Sequence, residues 1–250
     1  MRQSSHPEVS SRVAVVSGGS SGIGRAFVGE LTRRNYQVIF CGRDETKLRA
    51  VEAEWPGARG FVCDVTDKAS VLALARAVLE LHPAVDLVVN NAGGLREVDF
   101  TAVDVATTDL AAELRLNLEG AVHFIAAFLP GLRKAAPSAL IVVSSGYALA
   151  PATRAPLYSA AKAGLRAFVK ALRRQLSATG IRVIEVAPPV VDTPAVAHRN
   201  AAKLSPERVV QDTLMALDKG KTEVLPGAVR FLPALLRLAP RWVEEKVSKT

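Results

Sequence analysis

Cysteine is nearly absent from this chain: Cys41 and Cys63 are the only two in 250 residues. Two cysteines cannot build a disulfide framework, and no Cys/His group has the spacing of a metal site. Both end apolar, strand-like runs, so they read as buried free thiols suited to a reducing cytoplasm. No apolar run approaches the roughly 18 residues a membrane-spanning helix needs. The opening Met1-Arg2-Gln3-Ser4-Ser5-His6-Pro7 has no apolar signal core, so residues 1–11 read as a flexible tail without a secretion signal. There is no internal repeat, low-complexity segment or interdomain linker. The formal net charge is +8, yet the basic residues are scattered, and aromatics make up only 5% of the chain. No Lys/Arg run or aromatic-interleaved stripe marks a nucleic-acid surface. A solvated surface plus one phosphate site accounts for the excess.

What is present is an apolar share of 49%, ample for the core of one α/β domain. The β-branched run Arg12–Ser17 reads as a buried strand and passes directly into Gly18-Gly19-Ser20-Ser21-Gly22-Ile23-Gly24, then into a helical stretch from Arg25 to Asn35. Strand, glycine-rich turn and helix together let backbone amides and a helix N-terminus hold a pyrophosphate. The spacing is G-x-x-x-G-x-G, which differs from the common G-x-G-x-x-G fingerprint. A second strand, Gln37–Gly42, ends at Arg43, where a dinucleotide site faces the adenosine ribose. An acidic residue there suits the 2′-hydroxyl of NAD, and an Arg suits the 2′-phosphate of NADP. Here Arg43 precedes Asp44, which points to NADP.

The alternation continues. A helix is expected over 44–54, a strand over 60–63 leading into Asp64-Val65, a helix over 68–81, and a strand over 85–89 ending in Asn90-Asn91-Ala92-Gly93. A helix over 108–132 carries Asn117. The strand 139–143 ends in Ser144-Ser145-Gly146, and a further strand covers 181–186. Strands alternating with long helices predict a single doubly wound parallel sheet, a Rossmann fold, with helices on both faces. Ligands in such sheets bind beyond the carboxyl ends of the strands, where the chemically suggestive groups fall.

Tyr158-Ser159-Ala160-Ala161-Lys162 lies in a small-residue helical stretch, and its four-residue spacing sets phenol and ammonium on one face. A neighbouring cation favours the phenolate, so such a phenol can exchange a proton with a carbonyl or alcohol. Ala187–Pro194 reads as a rigid loop and residues 194–205 as a mobile lid. Ser205-Pro206 reads as the cap and first position of a helix to about Lys219, and 222–225 as a short strand. The apolar and basic tail, 229–250, is broken by Pro233 and Pro240; packing against the body or a sister subunit is expected ahead of membrane contact.

From Arg12 to about Leu225 the chain resembles the short-chain dehydrogenase/reductase family. Ser17–Gly24 is similar to its T-G-x-x-x-G-x-G turn, with Ser17 for the usual Thr; Asp64-Val65 is similar to its adenine-contacting pair, and Asn90–Gly93 to its N-N-A-G. The family's Ser lies thirteen residues before its Tyr, which selects Ser145 over Ser144, and Asn117 falls at the family's helix Asn. The resemblance implies a catalytic set of Asn117, Ser145, Tyr158 and Lys162. It implies NADP held by Gly18, Ser20, Ser21, Gly22, Ile23, Gly24, Arg43, Asp64, Val65, Asn91, Tyr158, Lys162, Val191 and Thr193, with no metal. Lys162 would bind the nicotinamide ribose, and Asn117 would hold a water linking Lys162 to solvent. The implied activity is NADPH-dependent reduction of a ketone or aldehyde to an alcohol. Oxidation of a secondary alcohol, epimerisation or a non-catalytic NADP sensor are the alternatives. A domain over 12–228 and a homodimer or homotetramer are implied too. Pro188-Pro189 departs from the family's Pro-Gly, stiffening that loop and removing an amide donor. The substrate pocket is expected between 94–96, 146–154, Pro189–Val190 and the lid. It reads as apolar, with Arg96, Arg154, His198 and Arg199 as cationic candidates; they would suit an acidic or thioester-linked substrate, but scattered surface arginines are the expectation ahead of that.

Overall fold

The computed structural model describes residues 12–102, 104–194 and 203–248. Seven strands, β1 (Val13–Ser17), β2 (Gln37–Gly42), β3 (Ala58–Val62), β4 (Leu87–Asn90), β5 (Ser138–Val143), β6 (Ile181–Val186) and β7 (Glu223–Val224), form one sheet. Its order is β3-β2-β1-β4-β5-β6-β7, and every pairing is parallel. Parallel strands need crossovers, which the helices supply on both faces. Strand residues alternate between two cores. Val13 and Val15 face the core formed with α3 (Lys68–Leu81), α5 (Gly120–Lys134) and α6 (Pro156–Gln175). Ala14 and Val16 face the other, formed with α1 (Gly22–Arg33), α2 (Glu45–Glu54) and α7 (Pro206–Asp218). The winding reverses between β1 and β4, and a reversal of that kind opens a crevice at the strands' carboxyl ends.

Three boundaries differ from expectation. Strand β3 begins earlier and ends at Val62; Cys63 still donates its amide to Gly42 O (2.9 Å), after which Asp64-Val65 turns off the sheet. The helix expected over 108–132 is a short α4 (Ala111–Leu114), a π-helical turn (Arg115–Glu119) holding Asn117, and α5, whose interior tolerates Pro130. In the tail the prolines start helices, because proline is preformed for the first turn: Pro233 opens α8 (Leu232–Leu238) and Pro240 opens α9 (Pro240–Ser248). The tail meets the body at Val229, whose methyls pack beside Gly146, and Val243 of α9 is also buried. Most of the expected lid, 195–202, and residues 1–11 lie outside the described residues. The lid's far end is tied down, since Leu204 donates to Val190 O (3.0 Å) and accepts from Asp192 N (2.9 Å). No helix among the described residues is long and apolar enough to cross a membrane, and none of their His, Cys, Asp and Glu side chains cluster as a metal site.

A buried charge network locks the last strands. Glu185 of β6 is fully buried, accepts from Ser144 Oγ (2.7 Å) and pairs with Arg166 of α6 (2.6 Å), which also reaches Glu223 of β7 (2.6 Å). Arg166→Ala leaves a buried carboxylate unpaired and is expected to lower stability by about 3–5 kcal/mol, read by urea unfolding. A loss within about 0.5 kcal/mol would mean water reaches Glu185.

Candidate active site

A cleft of about 670 Å³ runs along the carboxyl ends of the strands, a size ordinary for cofactor and substrate sites. Its walls include Gly18, Ser20, Ser21, Gly22, Ile23, Arg43, Asp64, Val65, Asn91, Ser145, Tyr158, Lys162, Val191 and Thr193. Of the sequence-selected residues, Gly24 and Asn117 stand behind these walls.

The glycine turn meets the requirements of a dinucleotide. A Cβ on Gly24 would stand 2.1 Å from Gly18 O, so the turn closes only around glycine. Ser21 is the N-cap of α1 but makes no side-chain capping bond, so the amides of the first turn have no Ser21 oxygen over them and suit a phosphate. Ser17, fully buried, accepts through Oγ from the amides of Asn91 and Ala92 (both 3.0 Å). Asn91 Nδ2 returns bonds to Ser17 O (3.1 Å) and Gly18 O (3.3 Å). These four bonds stitch β1 and its turn to the end of β4. Thr193 packs its methyl against Gly22.

At the β2 end of the cleft, Ser20 Oγ sits against Gly42, within 2.9 Å of where a Cβ would be. Ser20 and Arg43 both line the cleft there. The Asp44 carboxylate is engaged elsewhere, capping α2 at Lys47 N (3.1 Å) and pairing with the Lys47 ammonium (3.3 Å). Asp64 accepts from Thr66 N (2.9 Å) and Oγ1 (2.8 Å). Burial opposes its ionisation, but the Thr66 bonds and the Arg43 charge outweigh it and hold the carboxyl below its usual range.

At the other end, α6 presents Tyr158 and Lys162 one turn apart. Lys162 is 3% exposed, and Nζ donates to Val143 O (3.1 Å) and lies 5.7 Å from the Tyr158 ring centre. Desolvation pulls its pKa down to about 8, opposed by the negative charge of Glu113. Ser144 and Ser145 point to opposite tasks. Ser144 Oγ is tied to Glu185, while Ser145 Oγ accepts from Tyr147 N (3.1 Å) at the mouth of β5.

Asn117 is fully buried, and both ends of its amide are hydrogen-bonded. Nδ2 donates to Gly94 O (2.9 Å), Glu113 O (3.1 Å) and Glu113 Oε1 (3.3 Å), and Oδ1 accepts from Gly94 N (3.2 Å). A Cβ on Gly93 would stand 2.7 Å from Asn117 Oδ1 and 3.3 Å from Lys162 Nζ, so only glycine lets the two approach. Sequence reading missed Glu113, a buried carboxylate whose pKa burial raises. The one available signal was its four-residue spacing before Asn117.

Arg96 and Arg154 do not line the cleft: the Arg96 guanidinium donates to Asp109 O (2.5 Å), and Arg154 pairs with Glu97 (3.3 Å). His198 and Arg199 lie outside the described residues. The tail instead supplies wall, through Val229, Leu232, Leu235 and Val247. Pro188 O accepts from Gly146 N (2.9 Å), and Pro189 packs beside Gly227.

Comparison with known proteins agrees with this architecture. The family model described as short chain dehydrogenase matches residues 12–204. The chain is 35% identical over 232 residues to the uncharacterized oxidoreductase DltE of Bacillus subtilis (strain 168), covering 90% of this chain and 92% of that protein. A short chain dehydrogenase from Burkholderia cenocepacia J2315, solved in complex with NADP, superposes with a TM-score of 0.84 at 26% identity, covering 94% of this chain and 97% of the other. One from Burkholderia phymatum, solved in complex with NAD, superposes with a TM-score of 0.80 at 23% identity, covering 96% of each, and so shows the shared fold. The chain belongs to the short-chain dehydrogenase family and is a nicotinamide-dinucleotide-dependent oxidoreductase acting on CH–OH and C=O groups.

Proposed function

We propose that this protein is an NADPH-dependent carbonyl reductase of a reducing cytoplasm, which converts a ketone or aldehyde to an alcohol with Tyr158 as the proton donor. The observation that carries this reading is one cleft shared by the glycine turn, Arg43, Ser145, Tyr158 and Lys162. When bound, the dinucleotide supplies the hydride that the carbonyl carbon receives. Ser145 hydrogen-bonds the carbonyl oxygen and stabilises the negative charge that develops there. Tyr158 delivers a proton to that oxygen, so hydride and proton together convert C=O to CH–OH. Lys162 favours loss of the phenolic proton through its charge and would hold the nicotinamide ribose hydroxyls. Asn117 holds the Gly93–Gly94 backbone against Lys162. With its side-chain amide already employed, the path returning protons to Lys162 leads past Asn117 towards Glu113.

The preference for NADP rests on Arg43 and Ser20 both lining the β2 end of the cleft while Asp44 is engaged as a helix cap. Arg43 is suited to a 2′-phosphate through charge-assisted bonds. The same groups run in reverse would oxidise a secondary alcohol. Dimers or tetramers paired through the Asn117 and Tyr158 helices are the assembly the family resemblance implies.

Three measurements test this reading. Tyr158→Phe is expected to bind NADPH as the wild type does, by nicotinamide fluorescence, and to lose about 10²- to 10⁴-fold in turnover; wild-type turnover would remove Tyr158 from the chemistry. Arg43→Ala is expected to weaken NADPH by roughly 10- to 100-fold and NADH far less; equal losses would place the 2′-phosphate elsewhere. The third concerns pH. Lys162 is charged below about 8 and neutral above it, so kcat/KM for reduction falls as pH rises through that value. The Glu113 carboxylate favours the charged form, so Glu113→Gln moves that alkaline limb to lower pH. A limb that stays in place would exclude Glu113 from the network.

A further inference from the structure

Beside the catalytic Tyr stands a group that the chemistry above does not use. Tyr147 follows Ser145 by two positions in the 3-10 turn Gly146–Ala148, and its amide donates to Ser145 Oγ (3.1 Å). Its ring meets that of Tyr158 edge-on, with centres 6.3 Å apart and planes at 85°. It lines the cleft, yet its hydroxyl is enclosed and hydrogen-bonded to nothing in the protein. Buried hydroxyls are nearly always satisfied, because leaving one unpaired forfeits its hydration without return. Tyr147 thus holds an unmet hydrogen-bonding demand beside the reacting centre.

The remaining wall at this end is apolar. Leu95, Pro189, Val190, Val229, Leu232 and Leu235 contribute no charge. Among the described residues, the charged side chains lining the cleft are Arg43 and Asp64 at the adenosine end and Lys162 beneath Tyr158. A substrate carboxylate or phosphate would be desolvated at this end with no cation among the described residues, whether from the tail, Arg96 or Arg154, to receive it. A hydrocarbon arm would instead be favoured by burial against the tail.

We propose that Tyr147 determines specificity by hydrogen-bonding a second oxygen of the substrate. On the carbonyl-reduction reading of this cleft, the substrate is then a neutral, apolar carbonyl compound with an oxygen function close to the reacting carbonyl, such as a vicinal diketone or hydroxyketone. Tyr158 and Ser145 take the reacting oxygen, Tyr147 takes its neighbour, and the hydrocarbon arm lies along Val229, Leu232 and Leu235.

The test uses NADPH with three compounds of equal chain length: a vicinal diketone, the methyl ketone and the α-keto acid. The wild type is expected to rank them in that order by kcat/KM, with each methylene added to the diketone raising kcat/KM about three- to fourfold. Tyr147→Phe keeps the ring against Tyr158 and removes only the hydroxyl. The diketone-to-methyl-ketone ratio of kcat/KM is expected to fall about tenfold, the value of one hydrogen bond. An unchanged ratio overturns the role of Tyr147 while leaving carbonyl reduction standing, and a preference for the keto acid overturns the substrate class. NADPH binding without turnover of any of the three overturns this inference and leaves reduction of other carbonyl compounds standing.

Discussion

The site depends on burying one ammonium group, that of Lys162, against the strand ends. With its folded-state pKa near 8 in place of the ordinary 10.5, the unfolded chain holds this proton more tightly than the folded one. Folding therefore loses roughly 3 kcal/mol at neutral pH, a penalty that disappears as pH rises from 8 towards 10.5. The surroundings limit that loss and exploit it. Val143 O accepts from Nζ, and Glu113 supplies a negative charge within reach. The absent side chain of Gly93 allows Asn117 and Lys162 to come together. At pH 7 the group stays charged although water is excluded, and there a charge acts most strongly on a neighbouring phenol.

The sheet's winding brings these groups to one place. Reversal between β1 and β4 leaves a crevice, and the Ser17–Asn91 bonds keep its two banks in register. The parallel strands all end on the same side, so the glycine turn, Arg43, Asp64-Val65, Asn91 and Ser145 reach one cleft although they are far apart in sequence. Just past the end of β5 the two serines divide labour. Ser144 Oγ is committed to Glu185, while Ser145 Oγ accepts from Tyr147 N and its residue lines the cleft. The π-helical turn at Asn117 performs a similar service: a local departure from α geometry lets one amide bridge Gly94 and Glu113.

Much of this was legible in the residues. Alternating apolar runs and helical stretches indicated a doubly wound sheet, and the spacings around Gly18–Gly24 and Tyr158–Lys162 picked out residues that the fold brings to one cleft. Other parts were not legible, each for a physical reason. Glu113 resembles any helix-surface carboxylate until packing removes it from water. Arg96 and Arg154 were plausible pocket cations until Asp109 and Glu97 engaged them at a distance in sequence, or across a turn, that spacing does not reveal. Tyr147 stands out only because its hydroxyl finds no partner.

Sequence alone determined the class of fold and the place of the glycine turn and of Arg43 at strand ends that line one cleft. Each of these is set by local chemistry: backbone freedom at glycine, apolar periodicity, and charge at a strand end. Tertiary structure decided the protonation balance of Lys162, the engagement of Asn117 and the fate of the candidate cations. It also decided that the tail from Val229 onward forms a wall of the cleft. Those properties depend on desolvation and on partners from distant segments, and neither exists until the chain has folded.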